Sequence, residues 1–229
     1  MSENSKTLII ITGGTIEALY SPEEGTPYVV PLPPSTDESA IPELLTRLGV
    51  SAQDCVYWKL AMSDSKALAQ QGDVMNRIAE RIANELCARV IIVQGTDTMP
   101  ENARTLTRAL NQRGAIGARV VFTGAMKPLR DASGNWHPRE KTDGWRNMEM
   151  ALADVASAAL PAGVYIEMGE GPWDPKRVEK QVETRAADGG VVAGLGTGID
   201  HGRRLLLFHD ANLIGVQGKL LRSTPAARC

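Results

Sequence analysis

The sequence predicts an α/β domain: a doubly wound, mostly parallel sheet with helices on both faces. Two observations carry that expectation. Short apolar runs alternate along the chain with longer segments whose apolar residues recur every three or four positions, as strands alternate with crossover helices. Two of the runs, at 8–11 and 90–93, are apolar at every position, which suits central strands buried on both faces rather than half-exposed antiparallel ones.

The elements follow in order. The first strand is expected at 7–12 and runs into Gly13-Gly14-Thr15. A long Pro- and Gly-rich connection, 18–36, comes directly after it. A helix is predicted at 41–48, then a strand at 56–61. Val74, Ile78, Ile82 and Leu86, spaced by four, mark one face of a second helix, with Cys87 on its apolar side. The strand at 90–93, a helix at 103–110 and a strand at 120–123 follow. A second long connection, 127–142, leads to a helix at 148–159 and a strand at 164–167. Successive parallel strands joined through helices require right-handed crossovers. Loops longer than about 12 to 15 residues in compact domains usually bind ligands or cover sites, and both long connections leave the carboxyl ends of strands, where such sheets collect ligands. Beyond these elements lie a Gly- and Ala-rich stretch, 184–198, a strand-like run at 205–208, and a tail, 223–229, expected to fray.

With 229 residues and 43% hydrophobic content, the chain suits one domain with a full core. The division expected is a domain at 1–198 and a C-terminal appendage at 199–229. A formal charge of −2, from 25 basic and 27 acidic residues, gives no field to recruit nucleic acid or an anionic membrane. A small neutral or zwitterionic ligand fits better. No run approaches the roughly 20 apolar residues that span a bilayer, and the N-terminus is too acidic and its apolar run too short for a signal peptide. A cytoplasmic location is therefore expected. Cys55, Cys87 and Cys229 are odd in number and lack metal or redox spacing, so reduced thiols are expected. His137, His201 and His209 lack ligand spacing with the carboxylates, and no metal or cofactor is expected.

The chemistry concentrates in two threonines placed where fully apolar strands end, Thr15 and Thr96. A threonine hydroxyl attacks an amide carbon only if something takes its proton and something stabilises the oxyanion. Gly13 and Gly14 permit a tight turn with exposed backbone N–H groups. The same turn could serve a phosphate, but the G-x-G-x-x-G pattern is not completed, since Gly14 is followed by Thr15, Ile16 and Glu17. Thr96-Asp97 adds a second hydroxyl with a carboxylate able to position water, and with a lysine it could pass protons. The competing reading of Gly95-Thr96-Asp97-Thr98 is a helix N-terminus capped by Asp97 or Thr98.

Taken together, Thr12-Gly13-Gly14-Thr15-Ile16, Gly95-Thr96-Asp97-Thr98-Met99, Thr123-Gly124-Ala125-Met126 and Asp143-Gly144 with Asn147 resemble, in order and spacing, the bacterial-type L-asparaginases and glutaminase-asparaginases. The resemblance spans about residues 7–195, the larger N-terminal domain of that family, with its flavodoxin-like sheet, and is greatest to short-chain, single-domain members. It implies an amidohydrolase that converts L-asparagine to L-aspartate through a threonine nucleophile and an acyl-enzyme. By the resemblance, Thr15 is the nucleophile, and Thr96, Asp97 and Lys180 form the second group. Tyr28 or Tyr20, in the first long loop, would activate Thr15. Ser65 would hold the substrate carboxylate, with Asp64, Lys66, Gly14, Gly95 and Ala125 lining the substrate site. Thr12 matches a turn residue beside the nucleophile. A homodimer or homotetramer is implied, without a cofactor.

The chain departs from the family pattern at Gln94, where a histidine is common, and at Ala67, where a carboxylate is common. Lys66 adds a cation beside it, which shifts the local field towards an anion. Two alternatives therefore stand beside asparagine hydrolysis: turnover of another small acid amide, and a ligand-binding module that keeps the pocket without turnover. Lys127 is read as a surface cation, and Trp173 as a packed turn residue.

Overall fold

The computed structural model describes residues 6–20, 27–28, 39–63, 68, 73–115, 117–169, 171–180, 184–185, 191–192 and 204–206. Strand β1 (Thr7–Gly13) is buried along its whole length. A 3-10 turn (Thr15–Glu17) leads from it to a two-stranded antiparallel hairpin, β2 (Leu19–Tyr20) and β3 (Pro27–Tyr28). Helix α1 (Ala40–Arg47), strand β4 (Cys55–Ser63), helix α2 (Val74–Asn84), strand β5 (Arg89–Val93), helix α3 (Met99–Gln112), strand β6 (Arg119–Thr123), helix α4 (Gly144–Ala156) and strand β7 (Gly163–Glu167) complete the alternation.

The five long strands form one all-parallel sheet in the order β4-β1-β5-β6-β7. Helices α1 and α4 pack on one face around Ile9, Ile11, Ile91 and Val93; α2 and α3 pack on the other around Leu8, Ile10, Val90 and Ile92. Neighbouring residues of β1 and β5 therefore feed opposite cores, which explains why these runs are apolar throughout. Counting only sheet strands, the order is 2-1-3-4-5, and the direction of winding reverses between β1 and β5. In doubly wound sheets ligands bind at that switch point, outside the carboxyl ends of the two strands.

Helix boundaries have local causes. Ser39 caps α1, its Oγ accepting from the Ile41 N–H at 3.1 Å, and Glu43 and Arg47 pair one turn apart at 2.7 Å. Gly49, at φ 77°, follows the helix end. Helix α2 stops earlier than the spacing of four implied. Leu86 takes a left-handed φ of 50° and is 73% exposed, so neither it nor Cys87 lies on the helix. Three members of the series, Val74, Ile78 and Ile82, are buried as expected. Helices α3 and α4 start about four residues before the predicted positions; Met99 and Trp145 of their first turns are buried in the core, set apart from the following apolar residues by Pro100-Glu101-Asn102 and Arg146-Asn147.

Beyond the sheet, β8 (Val178–Lys180) pairs in parallel with β11 (Arg204–Leu206), and β9 (Thr184–Arg185) pairs with β10 (Val191–Val192). Trp173 is a packed turn residue: its backbone exchanges two hydrogen bonds with Ile166, and its indole N–H donates to the Met168 carbonyl. Cys55 and Cys87 are free thiols, while Cys229 and the expected frayed tail lie outside the described residues. Among the described residues no helix is long and apolar enough to cross a membrane.

Candidate active site

The site is organised by backbones that touch. Gly13 and Gly14 turn the chain at the end of β1 with φ of 99° and 90°, values that glycine alone adopts without strain. A Cβ on Gly14 would lie 2.2 Å from the Gly95 nitrogen and 2.4 Å from its Cα. The end of β1 is thus pressed against the chain leaving β5, closer than any side chain permits. A third strand end joins them, since a Cβ on Gly124 would lie 2.3 Å from the Gln94 carbonyl oxygen. Thr15 follows Gly14 and Thr96 follows Gly95, so this contact brings the two threonine segments side by side at the switch point.

Each hydroxyl has a different setting. Thr12 Oγ1 is fully buried and donates to the Val93 carbonyl at 2.9 Å, stitching β1 to β5. It is a structural bond at the base of the turn. Thr15 is half-buried and opens the 3-10 turn, in which Glu17 N donates to the Gly14 carbonyl and Ala18 N to the Thr15 carbonyl, both at 3.0 Å. Thr96 is 5% exposed, with Oγ1 3.5 Å from the Met126 sulfur, and Asp97 is exposed beside it. Thr98, not Asp97, occupies the N-cap of α3, and no side-chain capping bond forms there.

The segment after β6 is held by one carboxylate. Asp143 accepts from the Met126 and Lys127 N–H groups at 3.0 and 3.1 Å and from Asn147 Nδ2 at 3.0 Å. Burial pushes its pKa up, and these donors oppose that shift. Asn147 also donates to the Gly124 carbonyl at 3.0 Å, so Asp143-Gly144 and Asn147 form the clamp that fixes the third strand end. Ala125 lies in this segment with its side chain in the α1/α4 core, so any contact it makes with a ligand comes through its backbone.

The remaining predicted residues arrive by backbone. Lys180 ends β8, and Arg104 of α3 donates to the Pro175 and Val178 carbonyls at 3.0 and 3.2 Å, tying the approach to Lys180 to the helix that begins after Asp97. Tyr20 and Tyr28 sit on the β2–β3 hairpin that follows the Thr15 turn, one on each strand. β4 ends with Ser63 in register with Gly13, so the chain leaves that strand beside the glycine turn, but Asp64, Ser65 and Lys66 themselves lie outside the described residues. Among the described residues no three His, Cys, Asp or Glu side chains come together as a metal site.

Two buried acids escaped the sequence reading. Glu17, 1% exposed, accepts from the Ala40 N–H at 2.8 Å and from Ser39 Oγ. Burial raises its pKa, opposed first by Ser39 and Ala40, then by the charges of Arg130 and Lys59. Glu167, at the end of β7, is fully buried, and its pKa is pushed up to about 9 by burial and then by Asp154. Only the charge against an apolar background marks either residue in the sequence.

The family described as asparaginase, N-terminal, matches residues 6–189. Among solved structures, the chain is similar to the thermostable L-asparaginase from Thermococcus kodakarensis, at 23% identity and a TM-score of 0.48, covering 71% of this chain and 44% of that one. It is likewise similar to a probable cytoplasmic L-asparaginase from Campylobacter jejuni, at 24% identity and a TM-score of 0.49, covering 72% of this chain and 44% of that one. The chain thus spans less than half the length of these two structures. No curated protein matches.

Proposed function

The chain belongs to the asparaginase family, matching its N-terminal domain, and from that premise we propose that it is an amidohydrolase releasing ammonia from a small side-chain amide, with L-asparagine as the preferred substrate. The observation that carries this reading is the Gly14–Gly95 contact, which sets Thr15 and Thr96 on adjoining turns at the switch point. An amide hydrolase needs a nucleophile and a second group that handles water and protons within one pocket, and this contact supplies the juxtaposition.

In the proposed reaction Thr15 Oγ bonds to the amide carbon as its proton is taken up. Tyr20 or Tyr28 on the neighbouring hairpin is the group proposed to receive it. N–H groups about the glycine turn stabilise the oxyanion. The C–N bond then breaks, the nitrogen takes a proton, and ammonia leaves an ester on Thr15. Water positioned by Thr96 and Asp97, with Lys180 as proton acceptor, attacks that ester, releases the acid and restores the hydroxyl. Asp64, Ser65 and Lys66 are proposed to hold the substrate's carboxylate, and Asp97 its amino group, with Gly14, Gly95 and the Ala125 backbone lining the floor. The protein is proposed to work as a homodimer or homotetramer.

Lys66 with Ala67 favours a second reading, in which the added cation and lost carboxylate select another small acid amide. Ammonia release by the wild type over asparagine, glutamine and a panel of acid amides separates the two. Release fastest from asparagine supports the first reading, release from another amide alone supports the second, and release from none returns the chain to a binding module.

A further inference from the structure

We propose that Glu17 is a positioning residue for Thr15: its carboxyl group bolts the turn that carries the nucleophile to the first turn of α1. The inference rests on the amidohydrolase reading and deepens it. The turn itself is weakly determined. It has two internal backbone bonds, and the two residues before it are glycines at positive φ, which bring no side chain to hold it. Among the described residues it is held by the Gly14–Gly95 contact, the wholly buried Ile16 and Glu17.

Of these, Glu17 is the expensive one. Burying a carboxyl group is unfavourable unless it is well paired, and an apolar residue would fill the same space at less cost. Here both oxygens are used. Oε2 accepts from the Ala40 N–H at 2.8 Å and Oε1 accepts from Ser39 Oγ, so the group sits at the N-terminus of α1, where the helix dipole favours negative charge. The Ser39 hydroxyl in turn accepts from the Ile41 N–H, which makes a chain of bonds from the Thr15 turn into the helix. Arg130 and Lys59 add positive charge from the segment after β6 and from β4. Just beyond Glu17, Leu19 bridges Arg130 through the backbone, which ties the same stretch to the second long connection.

Glu17 lies two residues from Thr15 in one 3-10 turn, so release of its carboxyl group is transmitted to the hydroxyl as a displacement. A shift of about 1 Å at a reacting group costs on the order of 100-fold in rate. Because Glu17 orients the nucleophile and does not face the substrate, the loss belongs in kcat and not in KM.

The test measures ammonia release, kcat and KM for wild type, Glu17→Ala, Glu17→Gln, Ser39→Ala and the Glu17→Ala/Ser39→Ala double variant, each checked for a wild-type thermal transition. Expected results are a fall in kcat of about 10- to 100-fold for Glu17→Ala with KM within about threefold. Ser39→Ala falls by less, and the double variant resembles Glu17→Ala alone, because the two residues form one link. Glu17→Gln, which keeps an acceptor for Ala40 and can offer its amide N–H to the Ser39 oxygen in place of accepting from that hydroxyl, holds kcat within about threefold of wild type. Wild-type kcat in a folded Glu17→Ala protein overturns the inference alone. If Glu17→Ala does not fold, an unchanged kcat in Ser39→Ala overturns it instead. A wild type that releases no ammonia from any amide removes the amidohydrolase reading and this inference with it.

Discussion

Replacing Glu167 with glutamine should flatten the dependence of stability on pH. Among the described residues, neither carboxyl oxygen of Glu167 nor Oδ2 of Asp154 has a hydrogen bond of ordinary geometry, although the two acids are neighbours at the β7–α4 contact. A proton on Glu167 pairs one oxygen of each acid, since Glu167 then donates to Asp154. Its pKa of about 9 in the folded chain, against an ordinary 4.5, means that the folded state holds a proton which the unfolded state releases. The contribution is complete below about pH 4.5 and is lost as pH rises towards 9. In that window the folded state holds one more proton than the unfolded state, so stability falls with rising pH, by on the order of 3 kcal/mol between pH 6 and pH 8. For a chain of this size that corresponds to a fall of roughly 6 to 12 °C in Tm. Glutamine is an uncharged mimic of the protonated acid, so Glu167→Gln removes this component. The assay is urea unfolding of both proteins at half-unit steps from pH 5.5 to 8.5. A wild-type curve parallel to that of the variant, within about 0.5 kcal/mol across the range, would refute the shared-proton assignment.

Gly14→Ala combines a φ of 90° with a Cβ 2.2 Å from the Gly95 nitrogen, and should destabilise by more than about 3 kcal/mol. Gly114→Ala, at φ 68° with nothing within 4 Å, should cost only about 1 kcal/mol, and urea midpoints compare the two. Asp143→Ala strands the Met126 and Lys127 N–H groups and should cost about 3 kcal/mol or more, read by the same method, with faster hydrogen exchange at those two amides. Thr15→Ala should retain the wild-type Tm, since Thr15 is only half-buried, while ammonia release falls to background.

The architecture was legible because periodicity reports burial directly. Residues 8–11 and 90–93 are apolar at every position because α1 and α4 cover one face and α2 and α3 the other. The pattern failed where polar groups shape the chain. Leu86 kept the spacing of four but sits in a left-handed turn, and in the first turns of α3 and α4 the buried Met99 and Trp145 are set apart from the following apolar residues by Pro100-Glu101-Asn102 and Arg146-Asn147. The ordered motifs pointed to Thr15 and Thr96, yet their union depends on two glycine backbones in contact, and a sequence does not show which glycines touch. Glu17 and Glu167 were hidden for the opposite reason. Each looks like an ordinary charged residue at the end of an apolar run, and its partner, Ser39 or Asp154, lies more than ten positions away.

The central claim is that Thr15 carries the acyl group at the β1–β5 switch point. The most direct measurement is acid quench of the wild type during turnover of its preferred amide, followed by peptide mass mapping. The acyl adduct is expected on the peptide containing Thr15 and absent from Thr15→Ala, which also releases no ammonia. An adduct on another residue, or ammonia release undiminished in Thr15→Ala, would contradict the account.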